Sequence, residues 1–321
     1  MKKKLICTIS ILVLAAALCS GCSTAPFKTT DSFASYYAKN KEEVGSDLKG
    51  MASDLAVLSD SEATDPNYQS NDYADLLIND STNEVLESYH CFDRLYPASI
   101  TKVMTALLTL EHGNMDDEIT LKHDINLTEN GAVISTLTKG DTVTVGQVFH
   151  TMLIKSANDC AVILAEYVAG SESKFIDMMN VKAKELGATH THFVNPNGLH
   201  DNNHYTTAYD LYLIFKEAVK YDTFVDTVSS KDYTMTYTTP KKTQINEYMQ
   251  STNYYLLNEF PVPEGVVMYG GKTGTTSMAK SCLILMTKNK KGESFFSVVL
   301  GAETKDILYS SMSQLLEKTA N

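Results

Sequence analysis

The pattern of apolar residues predicts strands at both ends of the folded part of the chain and helices between them. Alternation or short apolar runs predict strands at residues 73–78, 84–89, 266–275, 281–287 and 294–300. Apolar residues three or four apart predict helices at residues 145–154, 159–169, 173–186, 206–220 and 306–318. We therefore expect one α+β domain. It should contain an antiparallel sheet of about five strands built from both chain ends and packed with helices, plus a mostly helical subdomain.

The clearest helix follows Pro97 and ends at Gly113. Its apolar stripe recurs at i, i+3, i+4, i+7 and i+8, at Ile100, Val103, Met104, Leu107 and Leu108. Further along, residues 233–237 alternate like an exposed strand, which Pro240 turns back.

The first 22 residues resemble a lipoprotein-type signal peptide. Three lysines at positions 2–4 precede an apolar stretch at residues 5–18, which is short for a membrane span. Cys19-Ser20-Gly21-Cys22 follows, so Cys22 is the candidate lipidation site, although such boxes usually have Leu where Cys19 stands. The alternative is cleavage nearby without lipidation. Either reading predicts an exported protein, held in the first case at the outer face of a bacterial membrane.

The composition of residues 23–321 predicts how this part of the chain is organised and argues against one class of partner. Residues 23–70 are polar and only weakly helical, which predicts a partly helical tether before a catalytic domain at residues 71–321. The net charge of −12 argues against a nucleic-acid partner. Three widely spaced cysteines in the body indicate buried apolar positions rather than disulfides: Cys91, Cys160 and Cys282.

The helix after Pro97 begins with Ser99-Ile100-Thr101-Lys102, an S-x-x-K motif. A serine and a lysine three apart share a helix face, and both border the apolar stripe. Burial lowers the pKa of a lysine, which then can take the proton of a serine nucleophile. The alternative is a serine helix cap beside a surface lysine, and the motif alone does not separate the two.

Two further motifs occur downstream. Ser156-Ala157-Asn158 lies in a polar break between apolar helices, where a hydroxyl can relay a proton and an amide can hold a peptide; an ordinary helix cap is the alternative. Lys272-Thr273-Gly274 lies in a predicted strand, where small residues allow close approach of a substrate. A phosphate-binding loop is excluded because position 266 is Val266 rather than glycine.

S-x-x-K, S-x-N and K-T-G in this order resemble the penicillin-binding proteins and serine β-lactamases. The surrounding residues are similar to those of the low-molecular-weight D-alanyl-D-alanine carboxypeptidases. The similar segments are residues 97–107, Ser156-Ala157-Asn158-Asp159, His192-Phe193-Val194-Asn195-Pro196-Asn197-Gly198-Leu199 and residues 272–276. This resemblance implies the β-lactamase/transpeptidase-like fold. It also implies an enzyme that trims the terminal D-Ala from peptidoglycan stem peptides and is acylated by β-lactams.

The resemblance also implies roles for individual residues. Ser99 would attack the substrate carbonyl with Lys102 as general base, and Ser156 would complete a proton relay with Lys272. The N–H groups of Ser99 and Thr275 would form an oxyanion hole. The residues implied to bind the substrate are Asn158, Lys272, Thr273, Gly274 and Thr275. Arg94, the only arginine, precedes the nucleophile by five residues, so we expect the substrate carboxylate to fall to Lys272 and the neighbouring hydroxyls.

Several alternatives stay open. A D,D-endopeptidase would use the same residues, and a β-lactam sensor would keep the fold. A class A-like β-lactamase would need a carboxylate for deacylation, and no E-x-x-L-N segment is present. A lipid-anchored solute-binding protein is the alternative without catalysis. His190, His192, His200 and His204 lack a carboxylate set, so no metal site and no cofactor are expected. We expect a monomer without the β-rich second domain that many relatives carry.

Overall fold

A computed structural model describes residues 55–57, 73–127, 129 and 132–320. The predicted signal peptide, Cys22 and nearly all of the predicted tether lie outside the described residues. Within them, no helix is both long enough and apolar enough to cross a membrane. Ala56, inside the predicted tether, is buried against the domain: its N–H donates to Tyr212 Oη at 3.3 Å and its carbonyl accepts from Tyr209 Oη at 2.7 Å.

The strands form two antiparallel sheets. They are β1 (Ala74–Asn79), β2 (Glu84–Tyr89), β3 (Glu118–Thr120), β4 (Thr142–Thr144), β5 (Asp232–Thr238), β6 (Gln244–Gln250), β7 (Val266–Thr276), β8 (Lys280–Asn289) and β9 (Ser294–Ala302). The larger sheet has the order β2-β1-β9-β8-β7, in which β1 pairs directly with β9. The prediction of a five-stranded sheet built from both chain ends is therefore confirmed.

The helices fill the middle of the chain and its C-terminal end. A short 3-10 turn (Ala98–Thr101) leads into α1 (Lys102–His112). The others are α2 (Val145–Ile154), α3 (Asn158–Ala169), α4 (Glu172–Glu185), α5 (Ala208–Ala218), α6 (Asp222–Val228), α7 (Tyr254–Leu257) and α8 (Lys305–Glu317). The five helices predicted from periodicity agree with α2, α3, α4, α5 and α8 to within two residues at each end. Thr207 caps α5 by accepting from the N–H of Asp210.

Both faces of the larger sheet are covered, and the strand residues divide between them. Leu76 and Ile78 join the large core formed with the helices, whereas Leu77 joins a second core beneath α8. This alternation follows from the pleat, and double coverage explains why the central strands β1, β8 and β9 are almost continuously buried. Cys91, Cys160 and Cys282 are buried, as predicted.

The smaller sheet, with the order β3-β4-β5-β6, is only partly predictable from the sequence. β5 matches the predicted exposed strand. Its partner β6 escaped prediction because its sequence, Gln-Ile-Asn-Glu-Tyr-Met-Gln, is mostly polar and mostly exposed. The two strands run antiparallel from Asp232↔Gln250 to Thr238↔Gln244. β6 matters for the site because it carries Glu247.

Candidate active site

The 3-10 turn and α1 bring Ser99 and Lys102 together. Ser99 is half-buried, while Lys102 is fully buried, which excludes the surface-lysine alternative. The lysine Nζ lies 2.9 Å from Ser99 Oγ. Ala98, just before the serine, has a φ of +47°, an uncommon value for a residue with a side chain. Such strain persists where the surrounding structure holds it and is frequent at functional sites.

Lys102 makes three polar contacts, and two of them accept hydrogen bonds only. Its Nζ donates to Asn158 Oδ1 at 2.8 Å and to the Asn197 carbonyl at 2.6 Å. The orientation of the Asn158 amide follows from its Nδ2, which donates to the Val133 carbonyl at 3.0 Å. A neutral lysine has two N–H groups and one lone pair. The two obligatory acceptors take the N–H groups, so the lone pair is left for the Ser99 hydroxyl proton.

The electrostatics favour that neutral form. Burial, and next the positive charge of Lys272, place the pKa of Lys102 well below its usual value of 10.5. The nearby carboxylate of Asp159 works in the opposite direction. Burial and the like charge prevail, so Lys102 is poised to accept the serine proton.

The second motif lies in the turn between α2 and α3. Ser156 is buried and has a φ of +64°, so its turn is also strained. Its Oγ accepts from Lys272 Nζ at 2.9 Å, and the same Nζ donates to the Thr273 carbonyl at 2.8 Å. Burial lowers the pKa of Lys272 to about 7. This pair can therefore exchange a proton near neutral pH.

The third motif runs along β7, the outer strand of the larger sheet. A Cβ on Gly274 would lie 2.9 Å from the Pro97 carbonyl oxygen and 3.0 Å from the Ser99 backbone nitrogen. Only glycine lets the strand come this close to the turn that carries Ser99. Because no strand covers the outer edge of β7 in the described sheet, an extended peptide can pair with it beside Ser99.

The three motifs border one cleft of about 310 Å³. The predicted site residues on its wall are Ser99, Ser156, Asn158, Thr273, Gly274 and Thr275. Lys102 and Lys272 are buried beneath it and are joined to the wall by the hydrogen bonds above. The cleft also contains Val133, Lys155, Gly198 and Lys305, which lie outside the three motifs. Gly198 lies in the quoted segment around Asn197, whereas Lys305 reaches the cleft from α8 and had no local signal.

The histidines and the lone arginine have other surroundings. No group of three potential metal ligands occurs among the described residues. His204 is buried behind the nucleophile turn, with Nε2 2.8 Å from Thr101 Oγ1. Burial lowers its pKa to about 3, so it supports the turn in its neutral form. Arg94 stacks over the ring of Tyr205 at 4.8 Å and is not on the cleft wall.

Ser99 beside the buried Lys102, the Ser156–Lys272 pair and the open edge of β7 form the arrangement expected of active-site serine enzymes. Sequence comparison agrees: the profile of the D-alanyl-D-alanine carboxypeptidase family matches residues 60–304. The chain belongs to this family.

Individual relatives show how far the similarity extends. The chain is 34% identical over 246 residues to D-alanyl-D-alanine carboxypeptidase DacF of Bacillus subtilis, covering 75% of this chain and 60% of that protein. It is 32% identical over 250 residues to DacC of Escherichia coli, covering 75% and 59%. The matched region thus spans about 60% of the length of these relatives. The crystal structure of the Streptomyces K15 DD-transpeptidase superposes with a TM-score of 0.70 at 26% identity, covering 78% of this chain and 97% of that one.

Proposed function

We propose that this protein is a serine-type D-alanyl-D-alanine carboxypeptidase that trims the terminal D-Ala from peptidoglycan stem peptides and is acylated by penicillins. The observation that carries the proposal is the set of contacts around Lys102. Two obligatory acceptors and a pKa lowered by burial leave the lysine lone pair for Ser99, which would make the serine a nucleophile.

In the proposed reaction, Ser99 Oγ attacks the carbonyl of the penultimate D-Ala while its proton passes to Lys102 Nζ. The developing oxyanion would be held by the N–H groups of Ser99 and Thr275. Ser156 and Lys272 would deliver a proton to the amine of the departing D-Ala, since their 2.9 Å contact borders the same cleft. Water would then cleave the ester and restore Ser99.

The substrate backbone would lie along the edge of β7, with its amide against Asn158. From the sequence we expected Lys272 to bind the terminal carboxylate of the substrate. In the structure Lys272 is buried, and its Nζ already donates to Ser156 Oγ and to the Thr273 carbonyl. Two lysines border the cleft, and Lys155 is paired with Glu247. Lys305 is exposed and is held by Tyr254 through a 2.9 Å hydrogen bond and a ring contact. We assign carboxylate binding to Lys305 together with the Thr273 and Thr275 hydroxyls.

The acyl acceptor separates the main alternatives. A similar protein of Streptomyces sp. strain K15 is named a D-alanyl-D-alanine carboxypeptidase, and the similar crystal structure from Streptomyces K15 is named a DD-transpeptidase. Transfer of the acyl group to an amine is therefore the second candidate, and endopeptidase action would use the same steps. We retain water as the acceptor because both carboxypeptidase relatives above carry that name.

The proposal extends to cellular location. Residues 1–22 would be a signal peptide lipidated at Cys22, and residues 23–70 would tether the domain at 71–321 to the outer face of the membrane as a monomer. Radioactive palmitate should label the full chain but not Cys22→Ser. Equal labelling of both proteins would reject the lipid anchor and leave the catalytic proposal unaffected.

The catalytic proposal is tested by intact-protein mass spectrometry after treatment with a penicillin. One long-lived adduct should form on Ser99, disappear in Ser99→Ala and persist in Ser310→Ala, an exposed serine on α8. Release of D-Ala from a pentapeptide ending in D-Ala-D-Ala should show the same dependence. A wild-type protein that neither forms the adduct nor releases D-Ala would refute the proposed function.

A further inference from the structure

One wall of the cleft lies outside the three motifs. Residues 133–136, here called the wall segment, pass in front of the N-terminus of α3. Val133 contributes to the cleft wall and its side chain is 45% exposed. Its carbonyl accepts from both Asn158 N at 2.8 Å and Asn158 Nδ2 at 3.0 Å. Asn158 therefore accepts a hydrogen bond from Lys102 and also holds the wall segment.

Two carboxylates hold the last two residues of the wall segment, Ser135 and Thr136. Asp159 accepts from the backbone N–H of Ser135 at 2.9 Å and 3.0 Å and from its hydroxyl at 2.5 Å. Glu247, on β6, accepts from the backbone N–H of Thr136 at 3.0 Å and from its hydroxyl at 2.7 Å. The wall segment is thus fixed from the helical side by Asp159 and from the smaller sheet by Glu247.

Glu247 makes a second contact that Asp159 lacks. Its Oε1 accepts from Lys155 Nζ, while Oε2 holds Thr136. Lys155 immediately precedes Ser156 and also borders the cleft. The Glu247 side chain is only 10% exposed. Burial by itself raises the pKa of this carboxyl, but the bonds from Lys155 and Thr136 prevail and lower it, so the group is ionised at neutral pH.

We propose that Glu247 is a positioning residue for the reaction. Through its two oxygens it holds the strained Ser156 turn and the wall segment at a constant separation, and it touches none of the reacting atoms. A residue with positive φ such as Ser156 keeps its conformation only while its surroundings hold it, and Lys155 is the adjacent point of attachment. This inference rests on the proposed serine acyl-transfer function.

A purely structural role would have a different consequence. If the Glu247 bonds only stabilise the fold, their loss reduces the fraction of protein that reacts with a penicillin, and each folded molecule still reacts at the normal rate. If they position Ser156 and the wall segment, every molecule still reacts but does so more slowly. The amplitude and the rate constant of acylation therefore separate the two roles.

The test uses the full chain with Glu247→Gln and a fluorescent penicillin at saturating concentration. The amide places an N–H donor where a carboxylate oxygen had accepted from Lys155 or Thr136. We expect the acylation rate constant to fall about ten- to a hundredfold, as for small displacements of catalytic groups, with the amplitude retained. The matched control is Glu264→Gln, because Glu264 is 96% exposed and contacts only Lys290, at 3.7 Å, in the described structure. It should react as the wild type does.

A second variant tests the wall-segment arm even if Glu247→Gln folds poorly. Thr136→Val removes the 2.7 Å hydroxyl bond to Glu247 and the 3.2 Å bond that the same hydroxyl accepts from Tyr237 Oη. The backbone bond to Glu247 remains, so we expect a smaller loss of rate. Tyr237→Phe removes the bond from Tyr237 and leaves Glu247 in place, so it measures that loss separately. Beyond that loss, the double variant of Glu247→Gln and Thr136→Val should be no slower than Glu247→Gln, because both changes break the same connection.

The outcomes distinguish this inference from the proposed function. Wild-type rate constants in both single variants, or a loss of amplitude alone, would overturn the positioning role while leaving the serine enzyme intact. Failure of the wild-type protein itself to be acylated would overturn the proposed function.

Discussion

Gly198 provides the sharpest test of how the nucleophile turn is held. Its φ is +85°, and a Cβ there would lie 1.9 Å from the Ala98 carbonyl oxygen and 2.9 Å from Thr101 Oγ1. Carbon and oxygen in contact are about 3.3 Å apart, so Gly198→Ala requires a shift of about 1.4 Å. Both sides of this contact belong to the site. Ala98 precedes the nucleophile, and the carbonyl next to Gly198 accepts from Lys102.

A shift of this size at the nucleophile and its base should reduce the acylation rate constant about a hundredfold. The positive φ adds a stability cost of roughly 1–2 kcal/mol for any residue with a Cβ. Gly292→Ala separates the two effects, because Gly292 has a φ of +83° and no atom within 4 Å of the added Cβ. We expect it to lose stability and to keep the wild-type rate constant.

The assay is stopped-flow acylation by a fluorescent penicillin, with urea unfolding to measure the stability of each variant. The rate constant is measured on the protein that reacts, whereas unfolded protein lowers only the amplitude. Partial unfolding therefore does not mimic a slower reaction. If Gly198→Ala reacts as fast as Gly292→Ala, the close approach does not position the nucleophile and the reasoning is refuted.

Three further predictions concern the lysines of the cleft. Lys102→Met should slow acylation by at least about a hundredfold, the contribution of a general base, and a near-normal rate in a stopped-flow assay would remove Lys102 from that role. Lys272→Met should abolish rapid acylation and yet stabilise the fold at neutral pH. The folded pKa of Lys272 is about 7 and its usual value is 10.5, so the unfolded chain binds more protons between these values and wild-type stability rises with pH in this window. Urea unfolding at about pH 7 and pH 10 should show a smaller rise in the variant; an equal rise would mean that Lys272 is not buried as an amine with a lowered pKa. Lys305→Met should raise the KM for a D-Ala-D-Ala peptide about tenfold with little change in kcat, and an unchanged KM would exclude Lys305 as the carboxylate site.

Local patterns predicted much of the fold because they report which faces of an element are apolar. The stripe behind Ser99 predicted both α1 and the desolvation of Lys102, which the structure places at full burial. β6 was not predicted, because an exposed strand of a small sheet has no apolar pattern to detect. For the same reason Glu247, 92 residues from Lys155, had no sequence signal.

The site shows a similar division. The three motifs were recognisable because their residues are close in sequence and their chemistry is specific. The Asn197 carbonyl and Gly198 act through backbone geometry, and Lys305 reaches the cleft only because α8 packs across the sheet. Such contacts depend on where distant elements meet, and no single segment contains that information.

The sequence by itself thus determined the family resemblance, the principal helices and strands, and the serine–lysine chemistry, because each depends on residues within one or two turns of the chain. Only the tertiary structure decided which hydrogen bonds each buried lysine makes, and hence which proton each can take. It also decided that Lys272 is already bonded to Ser156 and that Lys305, from a distant helix, is exposed at the cleft. The physical reason is that burial and hydrogen-bond partners, which set pKa and geometry, come from elements far apart in the chain and exist only once it has packed.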